Sequence, residues 1–192
     1  PLILQNTYHL GETMTGAVMA LDNVLAIFLL PVFGTLSDKV HTKLGRRMPF
    51  IVSGTILAVI FMMLLPMIDN AEKARWGTVE SFSNQVIFLA VLFFTLVSMG
   101  LYRSPAVALM PDVTPNHLRS RANAVINLMG AVGGVYALIM IKVLVGKGET
   151  PDYLPLFASI AAVMAIAVGI LVMTIRENKL REEVEKAEAA NA

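Results

Sequence analysis

Long apolar runs alternate with short polar intervals along this chain, and the runs set its architecture. They extend over about Thr13–Leu36, Met48–Met67, Gln85–Met110, Ala122–Val145 and Leu154–Ile175. Each reaches the roughly 20 residues that a helix needs to cross a bilayer. The pattern predicts an all-α, polytopic membrane helix bundle with about five transmembrane helices. Pro31 and Gly34 are tolerable inside the first span, because neighbouring helices can satisfy freed backbone groups. Pro49 fits the first turn of the second, where its missing N–H is no loss. Pro111, Asp112 and Pro115 end the third. Asn123, Asn127, Gly130 and Gly134 share one face of the fourth, a stripe suited to close helix approach.

The polar intervals complete the picture. Residues 1–12 open on Pro1 and the apolar P-L-I-L before turning polar at Gln5, and read as the outer end of a further, missing helix plus a short loop. Ile68–Asn84 carries Asp69, Glu72, Lys73, Arg75 and Glu80, and reads as an outer loop anchored at headgroup depth by Trp76. Gly146–Tyr153 reads as a short turn. Residues 176–192 form a charged helical tail with Glu182 and Lys186 one turn apart. Lys39, Lys43, Arg46, Arg47, Arg119, Arg121, Arg176, Lys179, Arg181 and Lys186 all fall on one side of the alternation. Lys73, Arg75 and Lys147 fall on the other, with Lys142 near that end of its helix, where it can snorkel. Basic loops stay inside, so the chain starts outside and its tail is cytoplasmic.

Composition agrees: 56% of the residues are hydrophobic and 15% charged, a balance suited to lipid rather than water. The absence of cysteine excludes disulfides and thiolate metal sites. His9, His41 and His117 lie in separate segments, and no metal or cofactor is expected. The near-neutral net charge of +1 gives no reason to expect nucleic acid as a partner.

The stretch Gly34–Phe50, G-T-L-S-D-K-V-H-T-K-L-G-R-R-M-P-F, joins the first two spans. Gly34 allows close helix approach, and Asp38 ends a helix beside Lys39, Lys43, Arg46 and Arg47. Asp112 ends another helix on the same side. The pattern Gly34, Asp38, Lys39, Gly45, Arg46 and Arg47 resembles the signature loop of the major facilitator superfamily. Its longer form, S-D-K-x-x-T-K-x-G-R-R-x-P-F, resembles the branch of sucrose transporters and glycoside-pentoside-hexuronide:cation symporters. A second segment is similar to the same branch: Tyr102, Arg103, Pro105, Ala106, Leu109, Asp112, Arg119, Arg121, Ala122, Asn123 and Ala124.

The resemblance implies helices 2–6 of a twelve-helix fold built from two six-helix halves. Residues 1–175 would then be a partial N-terminal half lacking its first helix, and 176–192 the start of the cytoplasmic linker. The whole protein would be a multi-pass transporter of the cell membrane, moving a sugar or glycoside by alternating access with cation, and specifically proton, symport. Its partners would be the bilayer, the small polar solute, the proton, and the missing first helix and C-terminal half. Gly34, Asp38, Lys39, Gly45, Arg46, Arg47, Arg103 and Asp112 would form a cytoplasmic gating motif, although the lysines also serve as plain topology signals. An exporter of drugs or metabolites is a rival reading, and a membrane scaffold or sensor is one of another class. An intramembrane enzyme would need a facing nucleophile and base, which one deep Asp and no membrane-embedded His do not supply.

Three residues on the third span and one on the first are candidates for solute and cation. Thr95, Ser98 and Tyr102 stand at i, i+3 and i+7 on one helix face, where hydroxyls can bond a sugar and a ring can stack on it. Equally, the hydroxyls can bond their own helix and Tyr102 can be an interfacial aromatic. Arg103 can snorkel or gate. Asp22 is a carboxylate flanked by apolar turns, which marks it for function or for helix packing. Sodium-coupled members of the resembled branch carry two acidic residues at the positions of Ala26 and Leu30, neither of which can ligate a cation. Asp22 lies one turn further out on their face, a poor sodium cage but a workable proton carrier.

Overall fold

The computed structural model describes residues 2–8, 11–74, 82–145 and 151–189. Its elements are α1 (Leu2–Asn6), α2 (Glu12–Lys39), α3 (Met48–Lys73), α4 (Phe82–Val113), a 3₁₀ turn (Asn116–Leu118), α5 (Arg119–Leu144), α6 (Leu154–Thr174) and α7 (Glu177–Ala189). Five of them, α2 to α6, are long and apolar enough to cross a membrane. The expected all-α bundle is therefore the fold, with no strand among the described residues.

Helix ends depart from expectation where charge or proline had suggested a stop. α3 continues past Met67 to Lys73, because Asp69 and Lys73 face each other one turn apart and neutralise one another. α4 runs through Pro105 and Pro111 to Val113. There the Arg119 guanidinium donates to the carbonyls of Pro111 (3.1 Å) and Thr114 (3.2 Å), satisfying acceptors that the helix end leaves open. Arg75, Trp76, Glu80, His9 and Lys147 lie outside the described residues, and so does the expected headgroup anchor.

α4 is the centre of the bundle, packed against α3 and α2, with α6 on the far side of α3. Small residues set the spacing. A Cβ on Gly54 of α3 would stand 2.7 Å from the Tyr102 backbone nitrogen, so only glycine admits α4 at this distance. On the α2 side, the Ser104 hydroxyl donates to the Leu30 carbonyl at 2.6 Å, beside Gly34. Ile3, Leu4, Leu65, Phe88 and Tyr153 close the opposite end as an apolar core. α5 buries no residue, and its expected packing stripe meets no described helix: nothing lies within 4 Å of a Cβ at Gly130 or Gly134.

Candidate functional site

The loop after α2 turns back through an isolated bridge between Thr42 and Gly45, where the Thr42 hydroxyl donates to the Gly45 carbonyl at 2.7 Å. Gly45 adopts φ +121°, a conformation that side chains oppose. The turn delivers Arg46 and Arg47 to the start of α3. Arg47 is buried and is the hub of the site: its guanidinium pairs with Asp38 at 2.8 Å and Asp112 at 3.0 Å, and donates to the Ser37 hydroxyl at 2.8 Å. Arg46 reaches Asp112 at 3.3 Å, and its buried Nε finds no acceptor among the described residues. Three helices, α2, α3 and α4, thus meet on one cation. Lys39 is exposed and stands outside the cluster.

One carboxylate in this cluster carries no sequence signal. Glu177, at the start of α7, is wholly buried and accepts from the backbone N–H groups of Arg46, Arg47 and Met48 at 2.8–3.1 Å. Ser37, the first residue of the longer motif, takes a place in the cluster as the acceptor of the Arg47 guanidinium.

Inside the bundle, Asp22 of α2 and Tyr102 and Arg103 of α4 line one cavity of about 260 Å³, completed by Leu25, Leu29 and Leu96. Asp22 also borders a second cavity of about 440 Å³, whose walls include Ile3, Phe88, Leu92, Tyr153 and Phe157. Among the described residues it is the one charged residue that lines this second space. Thr95 and Ser98 are placed apart. Both are buried, and their hydroxyls donate to the carbonyls of Val91 and Phe94 at 2.8 Å. Neither lines either cavity. Their stripe lies between two contacts with α3: Phe94 stacked on Phe61, and the Tyr102 backbone against Gly54.

The face opposite the motif loop has its own charge cluster. Asp69 is wholly buried, accepts from the Thr7 hydroxyl and pairs with Lys73. The Lys73 ammonium also donates to the Pro151 carbonyl and sits 4.6 Å from the centre of the Tyr153 ring. Nearby, the Asn70 amide and the Leu154 N–H hold the Asp152 carboxyl below the usual carboxylate range. Among the described residues no group of three or more His, Cys, Asp or Glu is placed to hold a metal ion.

Five apolar spans and a charged loop pinned between them describe a polytopic membrane helix bundle. The sequence profile of the Major Facilitator Superfamily matches residues 1–192, and the chain belongs to this superfamily. Among curated relatives it is similar to the sucrose transport protein SUT3 of Oryza sativa subsp. japonica, 26% identical over 67% of this chain and 27% of the relative. It is also similar to the sucrose transport protein SUC4 of Arabidopsis thaliana, 34% identical over 57% of this chain and 22% of the relative. An uncharacterized symporter, sll1374 of Synechocystis sp., is 24% identical over 78% of this chain and 27% of the relative. The matched part spans about a quarter of these relatives' length. No solved structure matches significantly.

Proposed function

We propose that the chain is part of a secondary active transporter that moves a sugar or glycoside across the cell membrane by alternating access, driven by a proton gradient. The observation that carries this reading is the cavity shared by Asp22, Tyr102 and Arg103 inside the bundle. Asp22 stands ten residues into α2, about 15 Å from its start at Glu12, which is near half the depth of a bilayer core. A carboxylate accepts from sugar hydroxyls, a guanidinium donates to them, and a phenol ring covers an apolar sugar face. A proton on Asp22 removes a charge that is costly at this depth, so loading it favours passage of the carrier. The Arg47 cluster closes the cytoplasmic side in one state and releases it in the other. Relatives named as sucrose transport proteins and as a symporter support the solute class and the coupling.

A second reading has its own support: the larger cavity is walled almost wholly by apolar side chains around one carboxylate. Such a space suits an amphiphilic cation and fits an exporter of drugs or metabolites. Uptake of radiolabelled sucrose and glucosides by cells producing the intact protein, under imposed proton or sodium gradients, separates the two. The sugar reading expects proton-driven accumulation that a protonophore collapses. Absence of sugar uptake together with resistance to lipophilic cations would establish the exporter instead.

A further inference from the structure

The first turn of α3 has free N–H groups and no acceptor of its own, because Arg47 occupies the N-cap and makes no side-chain cap. Glu177 fills the role from 130 residues away: Oε1 accepts from Arg46 and Arg47, and Oε2 from Arg47 and Met48. An anion there also complements the positive end of the helix dipole. Gly45 is part of the same fit. A Cβ at Gly45 would stand 2.1 Å from Glu177 Oε2, so the glycine leaves the space that the carboxylate enters. The next residue grips the same loop, since the Asn178 amide donates to the carbonyls of Thr42 (3.1 Å) and Lys43 (3.3 Å). At the far end of α7, Glu188 accepts from the Asn116 N–H at 3.3 Å and lies 3.8 Å from the Arg119 guanidinium. One 13-residue helix therefore ties the loop before α3 to the loop before α5.

We propose that Glu177 is a positioning residue of the motif network, seating the Arg47 backbone so that its guanidinium engages Asp38 and Asp112 together. Glu177 follows the last residue of α6, Thr174, by only three positions. Displacement of the α6 end moves this carboxylate, and with it the Arg47 cation, which joins α2, α3 and α4. α7 is then the element through which α6 sets or releases the network. The placement stands on geometry alone, whereas its effect on flux rests on the transport reading above.

The test uses the intact protein in liposomes, with Glu177→Ala, Glu177→Gln, Arg47→Ala and the Glu177→Ala/Arg47→Ala double variant. Hydrogen exchange of a peptide covering residues 44–50 reads the placement, and radiolabelled sucrose flux reads its consequence. In Glu177→Ala, exchange at Arg46, Arg47 and Met48 should rise about tenfold or more, as loss of charge-assisted bonds implies. Glu177→Gln, which keeps the shape and one acceptor oxygen, should be intermediate, and it carries the same cycle if the alanine variant fails to insert. Flux should fall with Glu177→Ala but fall no further when the change is added to Arg47→Ala, because a residue acting through Arg47 has nothing left to position. Unchanged exchange would overturn the placement, even if the protein moves no sucrose. Raised exchange with wild-type flux, or a loss that adds to that of Arg47→Ala, would overturn the positioning role.

Discussion

Arg47 and Asp112 meet at 3.0 Å across 65 residues of chain, and the contact ties the start of α3 to the end of α4. Asp38 pairs with Nη2 of the same guanidinium at 2.8 Å. Arg46, its neighbour, has a longer contact and a more exposed side chain. The two arginines of the motif are therefore unequal. Removing a buried ion-pair partner costs about 3–5 kcal/mol, and the contribution of a pair falls toward about 0–1 kcal/mol as it becomes exposed. Arg47→Ala should destabilise the protein by the larger amount and cut flux to a small but measurable remainder; Arg46→Ala, which removes the longer and less buried contact, should lower stability and flux by less. Asp38→Asn should reduce flux more than solute binding, because it unbalances two conformations without touching the solute. Thermal unfolding in detergent and flux in liposomes measure both. Equal losses for the two arginines would contradict this ranking.

Asp69 and Lys73 make the corresponding point on the opposite face. Asp69 is wholly buried, and Lys73 is 11% exposed. Asp69→Leu or Lys73→Met alone should cost about 3 kcal/mol, because each strands a desolvated charge. The double change Asp69→Leu/Lys73→Met removes both charges, so its loss should be smaller than the sum of the single losses. Melting temperatures of the three variants decide it, and strict additivity would mean that the pair is not coupled.

Orientation follows from which groups share an end. The motif loop and α7 lie together, and the α3 terminus lies with Pro151 and Tyr153 at the other end. The excess of basic residues on the motif face predicts that this face is cytoplasmic. Single cysteines at the exposed positions Lys43 and Lys179 should resist an impermeant thiol reagent in intact cells, and one at exposed Ala71 should react. Lys73 itself is a poor reporter, covered as it is by Pro151 and Tyr153. Reaction of both sets from the same side would refute the alternation of spans.

The spans were legible because each apolar run is as long as a bilayer core is thick, and the motif loop because its charges stand between two such runs. Their ends were less so. Asp69 and Lys73 look like loop residues until they are seen to neutralise one another, and Pro111 looks like a stop until Arg119 takes its carbonyl. Adjacent Arg46 and Arg47 are alike in sequence, and only burial separates them. The i, i+3, i+7 spacing of Thr95, Ser98 and Tyr102 shows a shared face but not their different fates: the two hydroxyls bond their own helix, and Tyr102 packs its backbone on Gly54 and lines the cavity with Asp22. Glu177 was illegible because its role depends on a helix returning to a loop 130 residues earlier.

The central claim is that Asp22 couples solute movement to a proton. It borders two cavities between the helices and shares the smaller of them with Tyr102 and Arg103. Replacing it with asparagine keeps its size and hydrogen-bonding reach but removes the titratable group. The decisive measurement compares wild-type and Asp22→Asn intact protein in liposomes, reading exchange of radiolabelled sugar with no gradient and accumulation under an imposed pH gradient. The account predicts that exchange persists in the variant while accumulation above the outside concentration is lost. Undiminished accumulation by Asp22→Asn, or a strict sodium requirement in the wild type, would contradict it.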